Sequence, residues 1–159
     1  MLFSVNWLKK WVDFDLPVDE LSGKLTASGL EVDTVEPVAA SFSDVVVAKI
    51  THCEPHPDAD KLKVCSIDFG DPEPVQVVCG APNARAGIRI PLAKVGAMLG
   101  DDFKIRKAKL RGVESFGMAC SERELGLSND HSGLMELPLD APLGMDIRDY
   151  LELNDYAIE

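Results

Sequence analysis

Five of the eight residues from 104 to 111, KIRKAKLR, are Lys or Arg, and the run leads directly into GVESFGM. The chemistry that cations at this density could do is the neutralisation of phosphates, with the counterion release that makes such binding salt-dependent. On a strand alternate side chains share a face, so Ile105, Lys107, Lys109 and Arg111 fall on one side and Lys104, Arg106, Ala108 and Leu110 on the other. Lys107, Lys109 and Arg111 then make a basic row. From charge alone the better reading of the row is an edge guard, because lysines keep an unpaired strand from recruiting other chains. The residues after it favour nucleic acid. Gly112 and Gly117 bracket VESF, so a tight turn presents Ser115 with Met118 just beyond, a hydroxyl for a phosphate or base edge and a thioether as a soft apolar surface for a base. The alternative places Met118 in the core and makes Ser115 a turn residue.

The second polar concentration is HPDADKL, residues 56–62, with His52 and Cys53 upstream. A metal site is a poor fit, since His52 and His56 lie in a strand-to-turn region, Cys53 faces away from His52, and no second ligand cluster answers them. Pro55, Pro57 and two aspartates beside their own amides describe a capped turn. VVCGAPNARAG, residues 77–87, has glycines but neither GxGxxG nor GxxxxGK[ST], and no helix pattern follows to carry a phosphate. Neither serine nor cysteine lies in a nucleophile motif, and three histidines in the whole chain leave a triad unsupported. Cys53, Cys65, Cys79 and Cys120 form no CxxC pair and sit in apolar runs, which suits reduced buried thiols.

These residues need a scaffold, and 159 residues at 46% hydrophobic suffice for one or two domains with a core. With 16 basic against 27 acidic residues, a formal charge of −11, any nucleic acid has to be met by a local patch. No run approaches the roughly 20 apolar residues of a membrane helix, and the lysines of MLFSVNWLKKWV follow its first apolar residues, unlike a signal peptide. A cytoplasmic protein with no membrane partner is expected. Phe3, Trp7, Leu8, Trp11 and Val12 recur at helical spacing behind a candidate N-cap, Ser4. A second helix is predicted from about Val18 to Ser28, with Asp19 and Glu20 in its first turn and Gly29 as its stop. GLEVDTVEPV alternates and ends at Pro37, and a domain boundary is placed near residue 40. From there VVVAKIT, KLKVCSIDF, PVQVVC, GIRIPLAKV, FKIRKAKLR and FGMACS read as strands of a small antiparallel barrel. A last helix is predicted around MDIRDYLEL. Tyr156 and Ile158 then begin an alternating strand that looks cut rather than finished.

Taken in order, HPDADKLKV, VVCGAPN, IPLAKVGA and IRKAKLRGVESFGMACSERELGL resemble the tRNA-binding module shared by several aminoacyl-tRNA synthetases and free-standing tRNA-binding proteins. The resemblance covers about residues 40–150 and implies an oligonucleotide-binding (OB) barrel. The preceding FSVNWLKKWVDFDLPVDELSGKLTASGLEVDTVE resembles the start of the beta subunits of bacterial phenylalanine-tRNA ligases. In that family the module is inserted into a first domain that resumes after it. The expected fold is therefore mainly β with short helices: a five-stranded OB-fold barrel, residues 40–150, inserted into a truncated α+β leading domain made of residues 1–39 and 151–159. Carried over by motif, the RNA-contacting positions fall on Lys61 of HPDADKL, Asn83 of GAPN, and Arg111, Ser115 and Met118 of LRGVESFGM, beside Lys107 and Lys109 of the basic row.

The resemblance also implies tRNA and the alpha subunit of an alpha2-beta2 tetramer as partners. It implies ATP and magnesium for the parent ligase, and no cofactor, metal or catalytic residue in this stretch. Residues 40–150 carry 13 basic and 17 acidic side chains, a net of −4, where a domain gripping RNA through phosphates is expected to be basic. That balance keeps a second function open, a protein-interaction or assembly domain with little RNA affinity. A free-standing tRNA-binding protein is a third, against which residues 1–39 speak.

Overall fold

Ser4 opens the first helix as the sequence predicts: its Oγ accepts the Trp7 N–H at 3.0 Å in the computed structural model, which describes residues 1–159. The elements run β1 (Phe3–Ser4), α1 (Val5–Lys9), α2 (Val18–Ala27), β2 (Val35–Pro37), β3 (Phe42–His56), β4 (Ala59–Asp68) and β5 (Val75–Cys79). They continue with β6 (Arg89–Leu99), β7 (Phe103–Lys104), β8 (Ala108–Leu110), β9 (Val113–Ser115), β10 (Met118–Ala119), α3 (Ile147–Tyr150) and β11 (Tyr156–Ile158). All the strand ladders are antiparallel. No helix is long and apolar enough to cross a membrane.

One compact unit joins Met1–Ala39 to Glu152–Glu159. Its sheet has the order β1-β11-β2, so the middle strand comes from the far end of the chain, and Ile158 is opposite both Phe3 and Val35. Val5, Leu21 and Ile158 form the buried centre. The helical face read from the sequence is split here: Leu8 packs on that centre while Trp7 and Trp11 stay exposed, their rings 6.1 Å apart. A helix of five residues is too short to turn all of the spaced apolar residues inward.

The other unit is Ala40–Leu151. Its sheet runs β10-β6-β3-β4-β5, with β7 paired to the end of β6. Alternation decides which side chains face in: Val46, Ala48 and Ile50 on β3, Cys65 and Ile67 on β4, Val77 and Cys79 on β5, and Ile90 and Leu92 on β6 form one cluster. Val45 and Val47 are buried as well, and beyond the end of the β4 ladder residues 144–146 pair with the edge of β3, with Val47 N–H donating to Met145 O and Gly144 N–H to Val47 O. Thus VVVA reads as a continuous apolar run rather than an alternating one.

The sheet is open where a closed five-stranded barrel was expected, because no ladder joins β5 to β9 or β10. Gly117 explains the break: at φ 136° it kinks the chain, and a Cβ there would lie 2.8 Å from the Ala93 carbonyl oxygen. The seam is sewn instead by single bonds, from Phe116 N–H to Gln76 O at 2.8 Å and from Gln76 Nε2 to Glu114 O at 2.8 Å. A second correction concerns FKIRKAKLR, which is not one strand. β7 ends at Lys104, Ile105 turns inward and is buried, and β8 begins only at Ala108. The Ile105 main chain is pinned at 2.8 Å twice, donating to Ala97 O and accepting from Gly96 N–H.

Candidate nucleic-acid interface

After Ile105 the chain leaves the main sheet and folds on itself as the β8–β9 hairpin, with Leu110 opposite Val113. Its two-residue turn is Arg111–Gly112, at φ 49° and 86°, the pair of positive values that matches the twist of a tight hairpin. Asn or Gly ordinarily fills the first of these positions, and an Arg held there costs about 1 kcal/mol of backbone strain. Arg111 therefore sits at the tip of the hairpin and not in a strand row with Lys107 and Lys109. Lys107 is compensated: its Nζ lies 3.0 Å from Glu114 and 5.0 Å from the centre of the Phe116 ring. Lys109 faces Glu114 across the ladder. Lys104, Arg106, Lys109 and Arg111 are all exposed and none is within 4.0 Å of an acidic partner.

Beside the hairpin runs a groove of about 630 Å³. Val78, Ile105, Leu110, Met118 and Leu134 supply apolar surface, and Lys104, Arg106 and Lys107 also line it. Such a surface can stack or cover a base while the cations meet the phosphates attached to it. Met118 is partly buried in the groove wall. Lys61 is exposed on a bulge, since Pro55 pairs with Lys63 and His56 with Ala59, leaving Asp60, Lys61 and Leu62 without partners on β3.

Ser115 and Asn83 are placed otherwise than their motifs imply. Ser115 is 3% exposed, and its Oγ accepts the Val78 N–H at 3.0 Å and donates to Gly117 O at 3.2 Å. The hydroxyl stands in for a missing ladder carbonyl at the seam. Asn83 likewise imitates a backbone unit, its amide donating to Leu134 O at 2.9 Å and its carbonyl accepting the Leu134 N–H at 2.8 Å. It borders a different cleft, which also holds Glu122, Asp130 and Glu136. The Arg85 guanidinium, 2.6 Å from Glu136, and the Asn83 amide hold that carboxyl below the usual carboxylate range. Asn83 and Arg85 in the 77–87 segment thus spend their polar groups on the protein.

The HPDADKL turn is capped by histidine rather than by its aspartates, since the Asp58 N–H donates to His56 Nδ1 at 2.9 Å. Burial disfavours the thiolate at three of the four cysteines: it pushes the Cys79 thiol up, raises Cys65 far beyond the ordinary range and raises Cys120 to about 12. Sequence reasoning missed Lys104 and Arg106, which an unbroken strand assigned to the face away from the basic row. The signal was Ile105, one apolar residue among cations.

The family model described as "Putative tRNA binding domain" matches residues 45–146, the span that holds the sheet, the hairpin and the groove. The chain belongs to that family. Over its whole length it is also similar to phenylalanine–tRNA ligase beta subunits: 56% identical to that of Idiomarina loihiensis and 58% to that of Pseudomonas putida. In each case all of this chain is matched, while it spans only 20% of the relative's length. Among solved structures it is similar to a MetRS related protein from Pyrococcus horikoshii, at 22% identity and a TM-score of 0.49, covering 65% of this chain and 87% of that one.

Proposed function

We propose that this chain is the tRNA-binding and structural module of a phenylalanine–tRNA ligase beta subunit, assisting the docking of tRNA for ATP-dependent attachment of phenylalanine. The observation that carries the reading is the set of exposed cations without acidic partners, Lys104, Arg106, Lys109 and Arg111, gathered on and beside an apolar groove in a domain that is otherwise acidic. An Arg kept in a strained turn position supports it, because strain of that kind gathers where a side chain has work to do. Lys61 and Met118 complete the surface. In this reading the open sheet is the OB-type barrel with its seam closed by single hydrogen bonds, two of them through side chains. Ser115 and Asn83 support the surface from within. Magnesium, ATP and the alpha subunit of an alpha2-beta2 tetramer belong to the parent enzyme, and the chain itself neither activates phenylalanine nor charges tRNA.

The test is tRNA binding by the purified chain across a salt series. Weak, strongly salt-dependent binding is expected. Replacing Lys109 and Arg111 together by Ala lowers affinity and flattens the slope of log K against log salt by roughly one unit for each phosphate no longer neutralised. Binding unchanged in affinity and slope by that pair overturns the reading. The second reading, an assembly domain with little RNA affinity, is favoured by the net of −4 over residues 40–150. It requires no measurable tRNA binding at low salt.

A further inference from the structure

The histidine that opens HPDADKL does more than cap its turn. His56 is 5% exposed, whereas His52 and His131 are at the surface. Because its Nδ1 accepts the Asp58 N–H, the proton of the neutral ring is on Nε2, and Nε2 then donates to the Leu110 carbonyl oxygen at 2.9 Å. Leu110 is the last residue of β8, immediately before the Arg111–Gly112 turn. Every other hydrogen bond that ties the hairpin to the sheet reaches β9 or the residue after it: Gln76 to Glu114, Val78 to Ser115, and Phe116 to Gln76. No other hydrogen bond from outside the hairpin reaches residues 106–112. One ring nitrogen thus holds the tip, and the other holds the turn from which the Lys61 bulge begins.

We propose that His56 is a positioning residue for RNA binding, its Nε2–H fixing the hairpin tip so that Arg111 and Lys109 stand in a set relation to Lys61. The inference rests on the tRNA-binding reading above and extends it. A hairpin anchored along one strand only swings about that strand, and charges displayed on a swinging tip meet the phosphates of a folded RNA at an added cost in ordering. The tether removes that cost before the RNA arrives. His56 has no need to touch the RNA.

Two substitutions separate the two nitrogens. His56→Asn keeps an acceptor near the Nδ1 position for the Asp58 N–H and no longer reaches Leu110. His56→Gln keeps a donor near Nε2 and gives up the cap. With His56→Asn, amide exchange of Arg111 and Gly112 is expected to rise and tRNA affinity to fall, each by about three- to tenfold, the range of a single net hydrogen bond. His56→Gln is expected to recover most of both. If His56→Asn changes neither exchange nor affinity, or if Gln fails as Asn does, the tether is not what positions the tip and the proposal is overturned. If Asn loosens the tip without weakening binding while Lys109→Ala with Arg111→Ala does weaken it, the RNA reading stands and the role of His56 falls. If that double substitution is itself without effect, the RNA reading fails and takes this role with it. The unaltered chain offers a check that needs no variant: imidazole nitrogen shifts are expected to report the Nε2–H tautomer, and an Nδ1–H ring overturns the proposal.

Discussion

The main sheet and the β8–β9 hairpin are built from the same kind of backbone and held in opposite ways. β3 is paired along both edges and buries Ile50, Val47 and Ala48 completely, so its position is fixed many times over. The hairpin has a ladder only with itself, exposes all of β8, and is moored by a few side-chain hydrogen bonds. Redundant apolar burial gives rigidity at the cost of a surface with nothing to offer. Sparse polar mooring leaves a strand free to show its cations. The difference teaches that this unit separates holding from display, and that polar side chains within its motifs, Ser115 and His56 among them, take part in the mooring.

The harshest way to probe the contrast is to cut into the sheet. Ile67→Ala, at a fully buried β4 position, is expected to lower stability by about 2–5 kcal/mol through reduced burial and an unfilled cavity, measured by urea unfolding. Ser115→Ala attacks the seam between the two regions. It leaves the Val78 N–H without its acceptor, so a loss of about 1–3 kcal/mol is expected, with tRNA affinity per folded molecule changed far less. An affinity loss without a stability loss would return Ser115 to the RNA surface.

Alkali distinguishes the regions without a mutation. Burial raises the Cys120 thiol from an ordinary value of 9.0 to about 12, so between those values the unfolded chain gives up a proton that the folded chain keeps. The unfolded state then binds fewer protons, and stability falls as pH rises, by about 1.4 kcal/mol per pH unit for this thiol. Cys65 and Cys79, raised in the same direction, add to it. Unfolding midpoints that decline from about pH 9 upward, and do so less in Cys120→Ala, are expected.

Smaller effects belong to the hairpin. Glu114→Gln releases Lys107 from its 3.0 Å partner and is expected to raise tRNA affinity about two- to fivefold at low salt and not at high salt. Smallest of all, the paired replacement of Lys109 and Arg111 by Ala is expected to shift stability by less than about 0.5 kcal/mol, since exposed charges contribute little to folding. A large melting shift there would erase the contrast.

Much of the holding was legible in the chain itself. VVVAKIT, KLKVCSIDF and GIRIPLAKV read as strands from their apolar and β-branched runs, and within a strand a pleat turns every second residue, such as Val46, Ala48 and Ile50 or Cys65 and Ile67, to the same face, a rule that needs no knowledge of neighbours. Ser4 as a cap and Gly29 as a stop, at φ 94°, followed from local backbone needs in the same way. The motifs of residues 56–62 and 104–118 likewise carried their resemblance in the order of residues alone. Tertiary structure decided what the polar residues inside those motifs do. Ser115, Asn83 and His56 each complete a backbone hydrogen bond with a segment at least 37 residues away, and sequence order does not say which carbonyl or amide will lack a partner. The break at Ile105 was decided there too, because its side chain is buried while its main chain is held by the Ala97 carbonyl and the Gly96 N–H, partners that the local run of cations does not name.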